Sequence, residues 1–583
     1  MRRLSWLLAL LLAAAPVQAQ QTSDTRAPEA ASPLAAGQKT ATGTRWMVTA
    51  ANPLAAQAGA AMLRAGGSAV DAMVATQLVL GLVEPQSSGL GGGAFLVYWD
   101  AAAGRLTTFD GRETAPRAAT PTLFQNAQGQ PLGFLEAVIG GLSVGTPGTP
   151  ALLETVHRRH GRLDWRGLFA PALELAEKGF PVSPRLAGLI AGDVATLARD
   201  PAAQAYFLDA DGAPLAAGTV LKNPAYAGTL RALREEGTRA FYEGALAQGI
   251  IEAVRGSANP GLLALEDLRA YQVKERAPVC GAYRGLDVCG MGPPSSGALT
   301  LGQILGLLEP YDLRALGPSS PEAWRLIADA SRLAFADRER YMADSDYVPM
   351  PTAGLLARDY LGQRSKLLAG DDALPEVAPG TPAWDHAMAA PARADGAAPE
   401  LPSTSQITIV DAAGNIVSMT STIEAGFGSR LMVGGFLLNN ELTDFSFRSQ
   451  KDGVPVANRV EPGKRPRSSM APTIVLKQGR PVLALGSPGG SQIIGYVAKT
   501  LIAHVDWGMS LGEAIAAPNV LARFDAVEIE AGTPAQALEP GLRALGFEVK
   551  TMPMTSGVQA VAITPGGLIG TADPRREGVA IGE

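Results

Sequence analysis

The sequence predicts an α+β fold of stacked layers. Its middle has helical periodicity, its C-terminal third is rich in strands, and no regular strand–helix–strand alternation links the two. The chain has 583 residues, 47% of them hydrophobic, which is enough to bury a large core. Charged residues make up 18% and the net charge is -6, so no basic stripe marks a nucleic-acid partner.

The chain begins "MRRLSWLLALLLAAAPVQAQ": two arginines, an apolar run, then Val17-Gln18-Ala19. This pattern predicts a secretory signal over residues 1–19, cut after Ala19, and a periplasmic or secreted protein. A membrane anchor is the alternative, but Trp6 to Ala15 is too short to span a bilayer. The nearest other apolar run, "AVDAMVATQLVLGLVEP", is interrupted by Asp71 and Gln77, so no membrane partner is expected. Residues 20–44 are Ala, Thr, Pro and Gly with little pattern and are expected to be a flexible arm.

Order is expected from Met47. "LAAQAGAAMLRAGGSAVDAMVATQLVLGLVEP" predicts two helices split at Gly66-Gly67, and "AFLVYWD" then predicts a strand followed by "RLTTFD". Residues 150–370 are mostly helical by periodicity. Within them, "VCGAYRGLDVCG" predicts a hairpin. With Arg284-Gly285 as a two-residue turn, Tyr283 pairs with Leu286 and Cys280 faces Cys289. An oxidising compartment favours a disulfide there; two buried free thiols are the other reading.

From Gly370 to Ser403 the chain is rich in Pro, Ala, Gly and Asp, and a flexible segment is expected. Strands follow at "QITIVD", "NIVSMTST", "FLLNN", "PTIVLK" and "PVLALGS", then helices at "QIIGYVAKTLIAHV" and "SLGEAIAAP".

The stretch that carries chemistry is "LPSTSQITIVDAAGNIVSMTST". If Ala412-Ala413-Gly414 is a three-residue loop, Asp411 lies opposite Asn415 and Thr404 opposite Thr422, although a bulge would slip this register. Thr404, Gln406, Thr408, Ser418, Thr420 and Thr422 then share one face, and Ile407, Ile409, Val417, Met419 and Ile423 the other. A half-solvated sheet explains such a polar face. A nucleophile site explains it too. The chain has four histidines, but an N-terminal threonine needs none of them, because its own α-amine is the nearby base. Cleavage between Ser403 and Thr404 would create that amine.

Eight blocks in order carry a resemblance: "GGSAVDAMVA", "VEPQSSGLGGG", "FDGRETAP", "TSQITIVDAAGN", "LLNNELTDFS", "RPRSSMAPTIV", "GSPGGSQII" and "ADPRREG". From Met47 to the C-terminus the chain resembles the γ-glutamyltransferases, which are self-cleaving N-terminal nucleophile hydrolases. The resemblance implies a four-layer αββα sandwich and a heterodimer cut from one precursor. Residues 45–403 would form the large subunit and 404–583 the small catalytic one. It implies γ-glutamyl substrates such as glutathione, a water, amino acid or dipeptide acceptor, and no cofactor or metal.

By position, Thr404 matches the nucleophile and Thr422 the threonine that hydrogen-bonds it. Arg112, Ser468 and Ser469 match groups that hold the substrate α-carboxylate, which suits a guanidinium. Glu441 and Asp444 match the grip on the α-amine. Gly489 and Gly490 match the oxyanion hole, where each backbone donor is worth roughly 3 kcal/mol.

Three departures stand out. Glu424 replaces an asparagine that contacts the substrate amine in well-studied members, so three carboxylates meet. Gln406 stands where many members have histidine. Phe445 to Pro466 is shorter than in lidded members and lacks a lid tyrosine. A cephalosporin-acylase-like amidase and a non-catalytic exported binding protein are the alternatives. Intact Thr404, Thr422, Gly489 and Gly490 favour an enzyme over the latter.

Overall fold

The computed structural model describes residues 39–384, 391–396, 398 and 403–583. The signal expected over 1–19 lies outside them. Two seven-stranded sheets pack face to face, and each pairs its neighbours antiparallel throughout. One holds Ser405–Val410 and Ile416–Thr422 at its centre, flanked by Met47–Ala50 and Gly93–Asp100. The other centres on Arg480–Gly486, between Gln559–Thr564 and Thr473–Lys477.

Helices cover both outer faces. Pro53–Arg64 and Ala69–Val83 pack on the first sheet, sharing a core with Ile407, Ile409, Val417, Met419 and Ile423. Gly297–Leu308, Pro321–Tyr341 and Ile493–Val505 share a core with Leu483 and Leu485 of the second. The architecture is the αββα sandwich.

Local chemistry sets the elements that matter for the site. The expected break at Gly66-Gly67 is present, and Ser68 and Asp71 form a reciprocal capping box that starts the second helix. That helix start is tied to the hairpin turn, because the Ala69 N–H donates to Asp411 at 2.9 Å. Asp411 also closes its own turn by accepting from the backbone N–H groups of Ala413 and Asn415, each at 2.9 Å. Gly414 supplies the left-handed residue at φ +84°. The hairpin register is the expected one: Ser405 pairs Ser421 and Val410 pairs Ile416.

The polar hairpin face is not half-solvated. It is buried between the sheets. Thr408 Oγ1 donates to the Gln559 carbonyl at 2.9 Å and Ser418 Oγ to the Leu485 carbonyl at 3.0 Å. Gln406 donates to Ser418 Oγ at 3.0 Å and accepts from Thr420 Oγ1 at 2.6 Å. The hydroxyls satisfy one another and the facing backbone, so burial costs little.

Two expected flexible regions are partly built in. Thr40–Gly43 pairs with Gly567–Ala572 at a sheet edge, so the arm expected to reach residue 44 ends earlier. The described residues of 370–403 have no helix or strand, yet several are tied down. Leu374 N–H donates to Asp329 at 3.0 Å, Gly380 N–H to Asp337 at 2.7 Å and Gly396 N–H to the Glu339 carbonyl at 3.1 Å. The cysteine hairpin takes its expected register, and Cys280 is bonded to Cys289. Among the described residues no helix is long and apolar enough to cross a membrane.

Candidate active site

Thr404 stands at the open end of the hairpin, directly before Ser405–Val410. Its Oγ1 donates to Thr422 Oγ1 at 3.0 Å, and Thr422 Oγ1 accepts the Glu424 backbone N–H at 2.9 Å. The pair sits against "VEPQSSGLGGG": a Cβ at Gly92 would lie 1.9 Å from the Thr422 carbonyl oxygen, so only glycine allows this approach. The Ser403 hydroxyl donates to the Gln86 carbonyl of the same stretch at 3.0 Å.

The backbone at Thr404 is strained. Its φ is +107°, a region β-branched residues rarely adopt, at a cost of order 1–3 kcal/mol. The carbonyl before it is already polarised: the Gly489 N–H donates to Ser403 O at 3.3 Å. Gly489 holds φ +137° and Gly490 φ +56°. A Cβ on Gly489 would stand 2.6 Å from the Tyr496 ring, so side chains are excluded there twice over. Gly490 opens a short turn that runs into the helix Ile493–Val505. The Ser403–Thr404 bond therefore has a hydroxyl on one side and a backbone donor on its oxygen.

A small cleft opens beside Thr404. It brings together Thr422, Gly490, Arg112, Glu424, Glu441, Asp444, Ser468 and Ser469, with Met470 and Ile493 as apolar lining the sequence did not single out. Gly489 adjoins it through the Ser403 carbonyl.

The charged residues are fixed from behind. Arg112 Nη1 pairs with Glu441 and Nη2 with Asp444; Nε donates to the Pro466 carbonyl at 3.2 Å and Nη2 to the Arg467 carbonyl at 2.9 Å. Arginine and acids thus form one ion cluster, where the resemblance assigned Arg112 to the substrate α-carboxylate and the acids to the α-amine on the same carbon. Burial opposes the Arg112 charge, but Glu441, Asp444 and Glu113 outweigh it and hold its pKa above the usual arginine value. Glu424 is also set in a left-handed conformation, φ +75°, and accepts from Asn440 Nδ2.

Ser468 is clamped by the loop after the cysteine hairpin. Its N–H donates to the Pro294 carbonyl at 3.1 Å, and its own carbonyl accepts the Ser296 N–H at 2.8 Å and hydroxyl at 2.7 Å. Ser469 Oγ accepts Arg338 Nη2 at 2.8 Å.

Sequence reasoning missed three buried groups. Glu113 follows Arg112 in "FDGRETAP" and is fully buried; burial first, and then the Glu441 charge, pushes its carboxyl well above 4.5. Glu113 therefore joins Glu441 and Asp444 as a third carboxyl beside Arg112. Arg338 gave no signal, since an arginine on a long helix reads as a solvated face. Arg576 lay in the quoted block "ADPRREG" without a role; it donates to the Thr404 carbonyl at 3.3 Å.

The sequence model described as Gamma-glutamyltranspeptidase matches residues 55–583. The glutathione hydrolase proenzyme of Bacillus subtilis (strain 168) is 38% identical over 549 residues, 92% of this chain and 91% of that protein. The Acylase ACY 1 proenzyme of Pseudomonas sp. (strain V22) is 35% identical over 553 residues, 93% of this chain and 94% of that one. Among solved structures, cephalosporin acylase from Bacillus halodurans superposes with a TM-score of 0.82 at 26% identity, covering 95% of this chain and 98% of that one. Helicobacter pylori gamma-glutamyltranspeptidase superposes with a TM-score of 0.55 at 34% identity, covering 56% of this chain and 94% of that one. A match over nearly the whole length, together with the αββα sandwich, shows that the chain belongs to the gamma-glutamyltranspeptidase family.

Proposed function

We propose that this chain is an exported precursor that cuts itself between Ser403 and Thr404. The freed Thr404 then cleaves γ-glutamyl amides, glutathione among them. The observation that carries the reading is the Thr404–Thr422 hydroxyl pair beside a carbonyl held by Gly489, on the wall of a cavity lined by Arg112, Ser468, Ser469 and three carboxylates.

Maturation begins when Thr404 Oγ1 attacks the Ser403 carbonyl carbon. The oxygen develops negative charge towards the Gly489 N–H, and the peptide becomes an ester as the acyl group moves from nitrogen to oxygen. Water cleaves that ester, giving a Ser403 carboxylate and a Thr404 amine, and so a large and a small subunit that stay together. In turnover the amine takes the Thr404 hydroxyl proton, Oγ1 attacks the γ-carbonyl of the substrate, and the proton passes to the leaving amine. Water or an amino acid or peptide amine then releases the glutamyl group from Thr404.

The cavity suits a zwitterionic head. The α-carboxylate is assigned to Ser468, Ser469 and Arg112, and the α-ammonium to Glu424, Glu441 and Asp444. The short segment after Asp444 leaves room for bulky leaving groups and for water, so hydrolysis competes with transfer. The Cys280–Cys289 bridge is consistent with an oxidising, exported location.

A cephalosporin-acylase-like amidase is the second reading, favoured by the acylase relative and the acylase structure. A glutaryl donor separates the two, because it brings a carboxylate without the ammonium that offsets the acid cluster. Anilides of both acids, with and without an acceptor dipeptide, test this. Faster release from the γ-glutamyl compound is expected; faster release from the glutaryl compound would replace the transferase reading with the acylase.

A further inference from the structure

Arg338 lies in the last turn of the helix Pro321–Tyr341, with its side chain buried behind Ser468 and Ser469. Its Nη2 donates to Ser469 Oγ at 2.8 Å and its Nε to Ser296 Oγ at 2.8 Å. Ser296 Oγ passes its own hydrogen to the Ser468 carbonyl at 2.7 Å. Nη1 donates to Glu339 at 2.7 Å, and the guanidinium carbon stands 5.5 Å from the centre of the Phe335 ring. One arginine, fixed in its plane, therefore reaches both members of the serine pair. It holds Ser469 directly and Ser468 through Ser296.

We infer that Arg338 is a positioning residue for substrate binding: it fixes Ser469 as a hydrogen-bond donor and so readies the serine pair for a carboxylate. This rests on the proposed function, which assigns the substrate α-carboxylate to Ser468, Ser469 and Arg112.

The argument is one of hydrogen-bond direction. A guanidinium donates and never accepts, whereas a serine hydroxyl has one hydrogen to give and lone pairs to receive. In the bond between Arg338 and Ser469 the serine must be the acceptor. Its hydrogen is left to donate elsewhere, and among the described residues no group accepts it. The backbone sets Ser468 the same way. Its Oγ accepts the Met470 N–H at 3.1 Å, and among the described residues no group accepts its hydrogen either.

Both serines line the cleft beside Thr404. Their oxygens are engaged by the protein and their hydrogens are not. A carboxylate only accepts, so it matches this polarity, while a head group presenting a donor there meets two hydrogens. Hydrogen bonds to an ionised acceptor are the stronger kind. The Ser469 hydroxyl also needs no turning when the ligand arrives, and such preorganisation gains affinity.

The test uses the mature enzyme and two readouts. One is the inhibition constant of L-glutamate, which carries the same head group, and the other is kcat for the γ-glutamyl anilide. Arg338→Gln replaces a pure donor by an amide that can also accept, so Ser469 can turn its hydrogen away from the cleft. The L-glutamate constant is expected to rise about tenfold, while kcat and self-cleavage stay within about twofold of wild type. Arg338→Lys, again a pure donor, is expected to recover most of the affinity. In a Ser469→Ala background the Arg338→Gln step is expected to shrink below about twofold, because the hydroxyl it acts through is gone.

A tenfold step that persists in that background means that the arginine acts through its charge or its packing, and overturns the inference. So does an Arg338→Gln enzyme with wild-type affinity, or one whose kcat falls as far as its affinity. Ser469→Ala alone covers the case in which Arg338→Gln fails to fold. It is expected to weaken L-glutamate about tenfold, and unchanged affinity overturns the inference. A wild type that stays uncut, or that ignores the anilide, sinks the proposed function and this inference together. An active enzyme that fails the Arg338 and Ser469 comparisons sinks the inference alone.

Discussion

The two walls of the cavity are built differently. The nucleophile wall is made of backbone and hydroxyls: the strained Thr404, its partner Thr422 and the Gly489 N–H. The recognition wall is made of charge: Arg112 locked between Glu441 and Asp444, Glu424 beside them and Glu113 behind. In the proposed reaction the first wall acts on any carbonyl placed over it, including the chain's own at Ser403. The second is proposed to read a substrate's head group, which is absent during maturation. One cavity can therefore process its precursor and still be selective afterwards.

The largest effect that would break this division comes from Gly489→Ala. The added methyl meets the Tyr496 ring, so the N–H leaves the Ser403 carbonyl. Both self-cleavage and turnover are expected to slow by about 10²–10³-fold. Loss of turnover with cleavage at the wild-type rate would show that the two reactions use different donors.

Arg112→Met probes the other wall. Turnover of a γ-glutamyl anilide is expected to fall about a hundredfold or more while cleavage continues, because the precursor's own peptide offers no α-carboxylate. The variant also removes the cation facing two buried acids, at about 3–5 kcal/mol of stability. Subunit analysis on a denaturing gel beside an activity assay separates the outcomes. Loss of cleavage together with activity, in a chain that still melts cooperatively, would give Arg112 a role in both walls.

Glu424→Asn sharpens the recognition wall. Removing this charge is expected to lower the preference for γ-glutamyl over glutaryl anilide by about tenfold. An equal change for both donors would show that Glu424 does not set selectivity.

The smallest effect concerns Glu113. Its folded-state pKa is raised, so its stabilising contribution is complete below the usual 4.5 and is lost as pH rises towards the folded value. Glu113→Gln cannot ionise and is expected to lack this slope. As pH rises from the usual 4.5 towards the folded value, the wild type is expected to lose roughly a degree or two of Tm relative to the variant. Parallel melting curves would mean that folding does not raise the Glu113 pKa.

The nucleophile wall was the more legible of the two. Alternation in "TSQITIVDAAGNIVSMTST" and Gly414 in its turn gave the register that sets Thr404 against Thr422. The cysteine hairpin was legible for the same reason, since a two-residue turn fixes cross-strand partners. Such features are local. The polar face was harder, because alternation shows that Thr408 and Ser418 share a side but not that a second sheet covers it.

The recognition wall joins residues more than 300 positions apart, and no periodicity reports that Arg112 and Glu441 will pair. Family blocks named both residues for the neighbouring charges of one head group, but not that the two pair with each other. Arg338 and Arg576 were missed for a related reason: buried arginines that answer backbone or hydroxyl oxygens resemble solvated ones in sequence.

The central claim is that Thr404 is released as an N-terminal nucleophile by its own hydroxyl. The most direct measurement is the intact mass of the purified wild-type protein beside Thr404→Ala. Two chains are expected in the wild type, the smaller beginning at Thr404, and one uncut, inactive chain in the variant. A wild type that stays uncut yet hydrolyses the γ-glutamyl anilide, or a Thr404→Ala chain that still splits at this bond, would contradict it.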